Sequence, residues 1–192
     1  GLVVVPPNPT APGPELTRQL AVTGARAVVV SPAAAKAVAA IDRSALPELE
    51  HVVDIAGIDL EGATSLDELM EAEPMGVVAR TDDDLAVLVF TSGTAGAPRA
   101  AMLTHGNLLA NLRQIQSFEG RRQQPEDVSF GVLPLSHIFG LNVVLGLSLY
   151  AGSSVVLVER FDPSSSAEAI ERHGVTVVAG VPTMWAAWAS LP

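Results

Sequence analysis

The sequence predicts an α/β fold: a layered, mostly parallel sheet with helices on both faces. Two observations predict it. Short, near-continuous runs of Val, Leu and Ile, such as RAVVVS at 26–31 and LAVLVF at 85–90, have the length and composition of strands buried on both faces. Between them lie stretches whose apolar residues recur at helical spacing, so strand and helix alternate along the chain.

Each element has its own warrant. Residues 14–23 read as a helix with Leu16, Leu20 and Ala21 on one face, followed by the strand 26–31. Residues 32–41 are Ala-rich and helical, and 51–55 form a second strand. A Ser65-x-x-Glu68 capping box opens a short helix at 65–71. The segment 71–84 is polar and turn-rich, a surface connection. The strand 85–90 leads through a Gly/Ser/Thr loop to a further strand at 100–103. Residues 104–118 carry Leu108, Leu109, Leu112 and Ile115 at helical spacing. A strand at 127–133, a helix at 137–150 and a strand at 154–158 follow. Asp162 caps a helix that begins at Pro163, a residue suited to the first turn. The strand 175–179 (VTVVA) and a helix from 181 onward complete the alternation.

The 192 residues are enough for one ordinary domain with a real core, and the scarcity of aromatics predicts that the core is aliphatic. The formal net charge is −10 and Lys36 is the single lysine. No basic cluster exceeds Arg121-Arg122, which argues against nucleic acid as a partner. The chain has no cysteine, which removes disulfides and thiolate chemistry and fits a reducing, cytoplasmic setting. Residues 128–158 contain no Lys, Arg, Asp or Glu, but Pro134, Ser136, His137, Asn142 and the Gly152-Ser153-Ser154 turn divide them. A strand, a helix and a strand fit that pattern better than a transmembrane span, and peripheral contact with a membrane stays open. The residues GLVVVPPNPTAPGPEL have no basic n-region, and their apolar run is shorter than that of a signal peptide.

Two stretches carry chemistry. The first is Phe90-Thr91-Ser92-Gly93-Thr94-Ala95-Gly96-Ala97-Pro98-Arg99-Ala100. Glycines at 93 and 96 let the backbone approach a ligand closely, and successive N–H groups can then converge as a nest for anions. The hydroxyls of Thr91, Ser92 and Thr94 add donors, and Arg99 adds a cation for charge-assisted bonds. The chemistry suggested is phosphate binding after a buried strand. Neither G-x-x-x-x-G-K-[ST] nor G-x-G-x-x-G is present, and a loop that merely reverses the chain is the plain alternative. The second stretch is Leu133-Pro134-Leu135-Ser136-His137-Ile138-Phe139-Gly140. A histidine in such an apolar segment is more often packed in a core than catalytic. No acid lies nearby for a Ser-His-acid triad, and His51, His105 and His173 share no metal-ligand spacing with His137.

Taken together, the stretches resemble the adenylate-forming (AMP-binding) superfamily, in particular its acyl-CoA synthetases. That family's phosphate loop reads Tyr/Phe-Thr-Ser-Gly-Thr/Ser-Thr-Gly-x-Pro-Lys-Gly, then Thr-His at a helix start, matched here by residues 90–100 and by Thr104-His105. Its Pro-Leu-x-His-x-x-Gly motif is matched by Pro134 to Gly140. Gly180-Val181-Pro182-Thr183-Met184 stands where the family has a Val-Pro element leading into its acyl pocket. The N-terminal VVVPPNPT and PELTRQLAVTGARAVVV segments also look like the family, so the resemblance covers nearly the whole chain. Three positions depart from the pattern. Ala95 lacks the usual hydroxyl, Arg99 replaces Lys, and Ala100 replaces Gly. A guanidinium keeps the charge but not the geometry of an ammonium.

The resemblance implies an ATP-dependent acid–thiol ligase with ATP, Mg2+ and coenzyme A as its small molecules. It acts on a fatty or other apolar carboxylic acid, through an acyl-adenylate. It implies phosphate binding by Thr91, Ser92, Gly93, Thr94, Ala95, Gly96 and Arg99 in a loop at 90–100. It implies acid binding by His137, Gly180, Val181, Pro182 and Met184, in elements at 133–140 and 180–188. Trp185 and Trp188 are further wall candidates, with plain core as the alternative. No metal ligand is assigned. The family's adenine-binding aromatic motif, magnesium-associated Glu, ribose-binding Asp, hinge and C-terminal catalytic Lys have no counterpart among these residues. The expectation is one α/β subdomain, 1–192, of a longer enzyme, catalytically incomplete alone and completed by the rest of the polypeptide. An adenylation domain that loads a carrier protein, and a nucleotide-binding or scaffold module that has lost catalysis, stand as alternatives.

Overall fold

The computed structural model describes residues 1–55, 57, 58, 60–91, 99–120 and 122–191. They fall into two compact units, Gly1–Arg80 with Ala86–Met102, and Thr81–Leu85 with Leu103–Pro192.

In the first unit, helix α1 (Gly13–Thr23) precedes strand β1 (Ala27–Val30). A 3-10 turn at Pro32–Ala34 runs into helix α2 (Ala35–Ala39), so the Ala-rich stretch is helical but broken in type. Strands β2 (His51–Asp54) and β3 (Thr64–Ser65) follow, and the order is β1-β2-β3, all parallel, with Ala27 opposite His51 and Val53 opposite Thr64. Leu16 and Leu20 of α1, Val30, Val38 and Val52 are buried together with Ile41 and Leu46, an aliphatic core as expected. Strand β3 has no counterpart in the sequence reading; two residues are too few to show a period. Ser65 is the N-cap of helix α3 (Leu66–Met70), its hydroxyl accepting the Glu68 N–H at 3.1 Å. Strands β4 (Leu85–Thr91) and β5 (Arg99–Thr104) form a second, two-stranded sheet. Val4 pairs in parallel with Val87 at its side.

In the second unit, helix α4 (His105–Ser117) leads to strand β6 (Val128–Gly131), the centre of a parallel sheet in the order β7-β6-β8. Strand β7 is Ser154–Leu157 and β8 is Val177–Val178; Ser129 lies opposite Val155 and Val177. The Asp127 carboxylate accepts the Thr176 hydroxyl at 2.7 Å, and that hydroxyl oxygen accepts the Val128 N–H at 3.0 Å. These bonds tie the starts of β6 and β8 together. Helix α6 (Pro163–Arg172) is capped by Asp162 as expected, and α7 (Pro182–Ala189) follows β8.

Two expectations are corrected here. The segment read as one helix at 137–150 is a π-helix, Phe139–Gly146, continued by a short α-helix, α5 (Leu147–Ala151). Eight nearly all-apolar residues have no polar stripe from which the turn angle could be read. The core of this unit is mostly aliphatic but holds an aromatic cluster that the expectation of an aliphatic core leaves out: fully buried Phe130 packs against Trp188, and Trp188 meets Phe161 and Trp185 edge-on at 5.2 and 5.3 Å. Composition counts aromatics without saying where they gather. Among the described residues no helix is long and apolar enough to cross a membrane. Val29 on β1 and Leu157 on β7 are 62% and 60% exposed.

Candidate functional site

The glycine-rich stretch 92–98 lies in the sequence between β4 and β5. Ala86, Val87 and Val89 bury β4, which ends at exposed Thr91. Arg99 opens β5 and is also exposed. The Thr91 hydroxyl donates to the Arg99 carbonyl at 3.4 Å, a long bond that joins the two residues flanking the loop. Ser92, Gly93, Thr94, Ala95 and Gly96 lie outside the described residues. Of the expected phosphate ligands, then, the structure places Thr91 and Arg99.

The Thr104-His105 pair acquires a physical role. Thr104 is the N-cap of α4: its hydroxyl accepts the Asn107 N–H at 3.1 Å, while the Asn107 side-chain carbonyl accepts the Thr104 N–H at 3.1 Å. This is a reciprocal capping box with Asn in place of Glu. The first turn of α4 then docks on the 81–85 segment, His105 N–H donating to Asp84 and Gly106 N–H to the Asp82 carbonyl at 2.8 Å. A Cβ at position 106 would lie 2.9 Å from that carbonyl oxygen, which accounts for the glycine.

His137 is exposed rather than packed in a core. It sits on the turn before the π-helix, its N–H donating to the Pro134 carbonyl at 3.1 Å and its own carbonyl accepting the Leu141 N–H at 2.9 Å. Gly140 permits this turn. A Cβ there would fall 2.4 Å from the Pro134 oxygen and 2.6 Å from that of Leu133. The π-helix and α4 enclose a groove of about 340 Å³. Its apolar walls include Leu103, Leu108, Ile138, Phe139 and Val143. Three asparagines, Asn107, Asn111 and Asn142, also line it. The Asn142 amide is spent on α4, donating to Asn111 Oδ1 at 3.0 Å and to the Leu108 carbonyl at 3.3 Å. Sequence reasoning did not assign these asparagines; a buried amide in an apolar helix was the signal for Asn142.

The last expected element divides in two. Val181, Pro182 and Trp185 are exposed and Gly180 is partly buried. Met184 is 5% exposed and packs with Phe130, Val132 and Val144, while Trp188 donates from its indole to the Pro163 carbonyl at 3.1 Å. The core alternative describes Trp188. Among the described residues no group of three or more His, Asp or Glu is placed to hold a metal ion.

Comparison with known proteins adds the family. A family model for AMP-binding enzymes matches residues 1–192.

The chain belongs to the AMP-binding enzyme family.

Its relatives include a 4-coumarate-CoA ligase from Narcissus pseudonarcissus, 33% identical over 207 aligned residues that cover all of this chain and 36% of that one. A feruloyl-CoA synthase from an Amycolatopsis species is 34% identical over 192 residues, again covering all of this chain and 36% of the relative. Among solved structures, ATP-bound MatB from Rhodopseudomonas palustris superposes with a TM-score of 0.80 at 30% identity, over 99% of this chain and 36% of that chain. The family's α/β fold, with mostly parallel sheets, is therefore the fold of this chain. The chain spans about a third of the length of these relatives, 36% in each case.

Proposed function

We propose that this chain is the nucleotide- and acid-binding part of an ATP-dependent acyl-CoA ligase. The acid is a fatty or other apolar carboxylic acid, aromatic acids included. The carrying observation is the family match over residues 1–192, together with relatives named for coumarate and ferulate. The apolar groove beside the turn that bears His137 supports an apolar acid.

In this reading a carboxylate oxygen bonds to the α-phosphorus of ATP and the bond to the bridging oxygen of the β-phosphate breaks. Pyrophosphate leaves. The thiol sulfur of coenzyme A then bonds to the acyl carbon, AMP departs and the thiol proton is lost. The first step is electrostatic: two anions must meet, and charge grows on the leaving group. The loop 90–100 supplies backbone donors, the Thr91, Ser92 and Thr94 hydroxyls, and the Arg99 charge to hold that group. His137 lines the acid site and orients the carboxylate, and Gly180, Val181, Pro182 and the core residue Met184 contribute to that site. No base is needed there, because a carboxylate is already ionised at neutral pH. Mg2+ would arrive on the triphosphate and neutralise part of its charge. The longer polypeptide completes the reaction.

The test is acid-dependent ATP–pyrophosphate exchange by the intact polypeptide, then thioester formation with coenzyme A. Exchange with an apolar acid, and a thioester product only when coenzyme A is present, is expected. Exchange without transfer to coenzyme A points to a carrier-protein acceptor. Folded protein that binds no ATP overturns the proposal and leaves a scaffold.

A further inference from the structure

We propose that Gln123 is a positioning residue for the acid groove, acting through a buried hydroxyl relay that sets where the π-helix ends. The inference rests on the reading of that groove as the acid site.

The geometry begins in the loop after α4. The Gln116 side chain clamps the Gln123 backbone, its amide N–H donating to the Gln123 carbonyl at 3.0 Å and its carbonyl accepting the Gln123 N–H at 3.1 Å. With its main chain held, Gln123 extends an amide nitrogen to three serine oxygens: Ser153 at 2.7 Å, Ser129 at 2.8 Å and Ser148 at 3.0 Å. A primary amide has two N–H groups, so the three oxygens share them. Ser129 and Ser148 are buried, on β6 and α5. The Ser148 hydroxyl is thereby fixed as an acceptor from Gln123. Its own hydrogen goes to the Val144 carbonyl at 2.8 Å.

That carbonyl lies at the joint where the π-helix passes into α5. Leu147 N–H bonds there to Asn142 and Val144 carbonyls together, which marks a change of register. The Val144 carbonyl thus accepts from both the Leu147 N–H and the Ser148 hydroxyl, and Gln123 holds that hydroxyl in place. Val143, the residue before Val144, and Phe139, one turn earlier, are walls of the groove. If packing alone were required, alanine or valine would fill these serine positions without any polar atom to satisfy. A connected polar network instead selects one register.

The test uses the intact polypeptide with Gln123→Met and Ser148→Ala. A control, Phe161→Leu, loosens the neighbouring aromatic core without touching the relay. Both relay variants are expected to raise KM for the acid by about fivefold, the size of one lost hydrogen bond, with kcat and the KM for ATP changed by less than about twofold. Hydrogen exchange at residues 142–148 is expected to quicken in the relay variants only. The control lowers Tm and leaves KM for the acid unchanged. A fall in Tm in the relay variants with no change in acid KM, or an equal change for acid and ATP, overturns the proposal. If the unmodified protein shows no acid-dependent exchange of pyrophosphate, it is the functional reading that fails. The relay is then judged by hydrogen exchange alone: unchanged protection at 142–148 overturns it, and faster exchange there upholds it.

Discussion

At Gly140 the backbone leaves no room for a side chain, because two carbonyl oxygens, of Pro134 and Leu133, stand where a Cβ would go. Gly140→Ala is therefore expected to cost about 1–3 kcal/mol or more by overpacking, read as a lower denaturant midpoint with an unchanged slope. The turn that bears His137 would shift with it. Arg99 is a residue of another kind: exposed, at the start of β5. If it grips the departing phosphates, Arg99→Ala should slow pyrophosphate exchange by about 10- to 100-fold, the worth of a charge-assisted bond, and Arg99→Lys by less. An Arg99→Ala protein with unchanged exchange would remove Arg99 from the phosphate site.

Helix starts are the elements whose chemistry is most local. Asp162 accepts the Ser165 N–H at 2.9 Å and the Ser165 hydroxyl at 2.9 Å. The Ser165 N–H first, then its hydroxyl, hold the Asp162 carboxyl below the usual aspartate range. The folded value is depressed, so the stabilisation is fully present above the ordinary aspartate pKa and is lost as pH falls through the lowered value. Asp162→Asn keeps a cap acceptor and should flatten the acid limb of Tm against pH; Asp162→Ala should lower Tm already at neutral pH. An unchanged acid limb in Asp162→Asn would show that other carboxylates govern it. These starts were legible because cap and first turn are neighbours in sequence: Asp162-Pro163, Ser65 and Thr104 all stand at helix N-termini. The π-helix was not legible. Phe139 to Gly146 is nearly all apolar, and its one polar side chain, Asn142, bonds to residues of α4 that lie 31 and 34 positions earlier in the chain.

Across the whole molecule, each of the two units has its own core, wholly aliphatic around Val30 in one and aliphatic with an aromatic cluster at Phe130 in the other. Phe130→Ala should cost about 3–5 kcal/mol in denaturant unfolding, with Trp188 fluorescence as the probe because the rings are in contact. A cost below about 1 kcal/mol would mean that the aromatic cluster is not the centre of that unit. The sequence alone determined the alternation of strands and helices, the parallel class, the helix caps and the family motifs at 90–100 and 133–140. Those features rest on hydrophobic period, on capping chemistry between near neighbours, and on contiguous residues that can be matched to a family pattern without knowing the fold. Only the tertiary structure decided that Met184 and Trp188 lie in a core, that Asn142 turns its amide to α4, and that Gln123 gathers three serines from separate elements. The reason is physical. Burial and buried hydrogen bonds are made between residues tens of positions apart, and nothing in either residue's local surroundings specifies its partner.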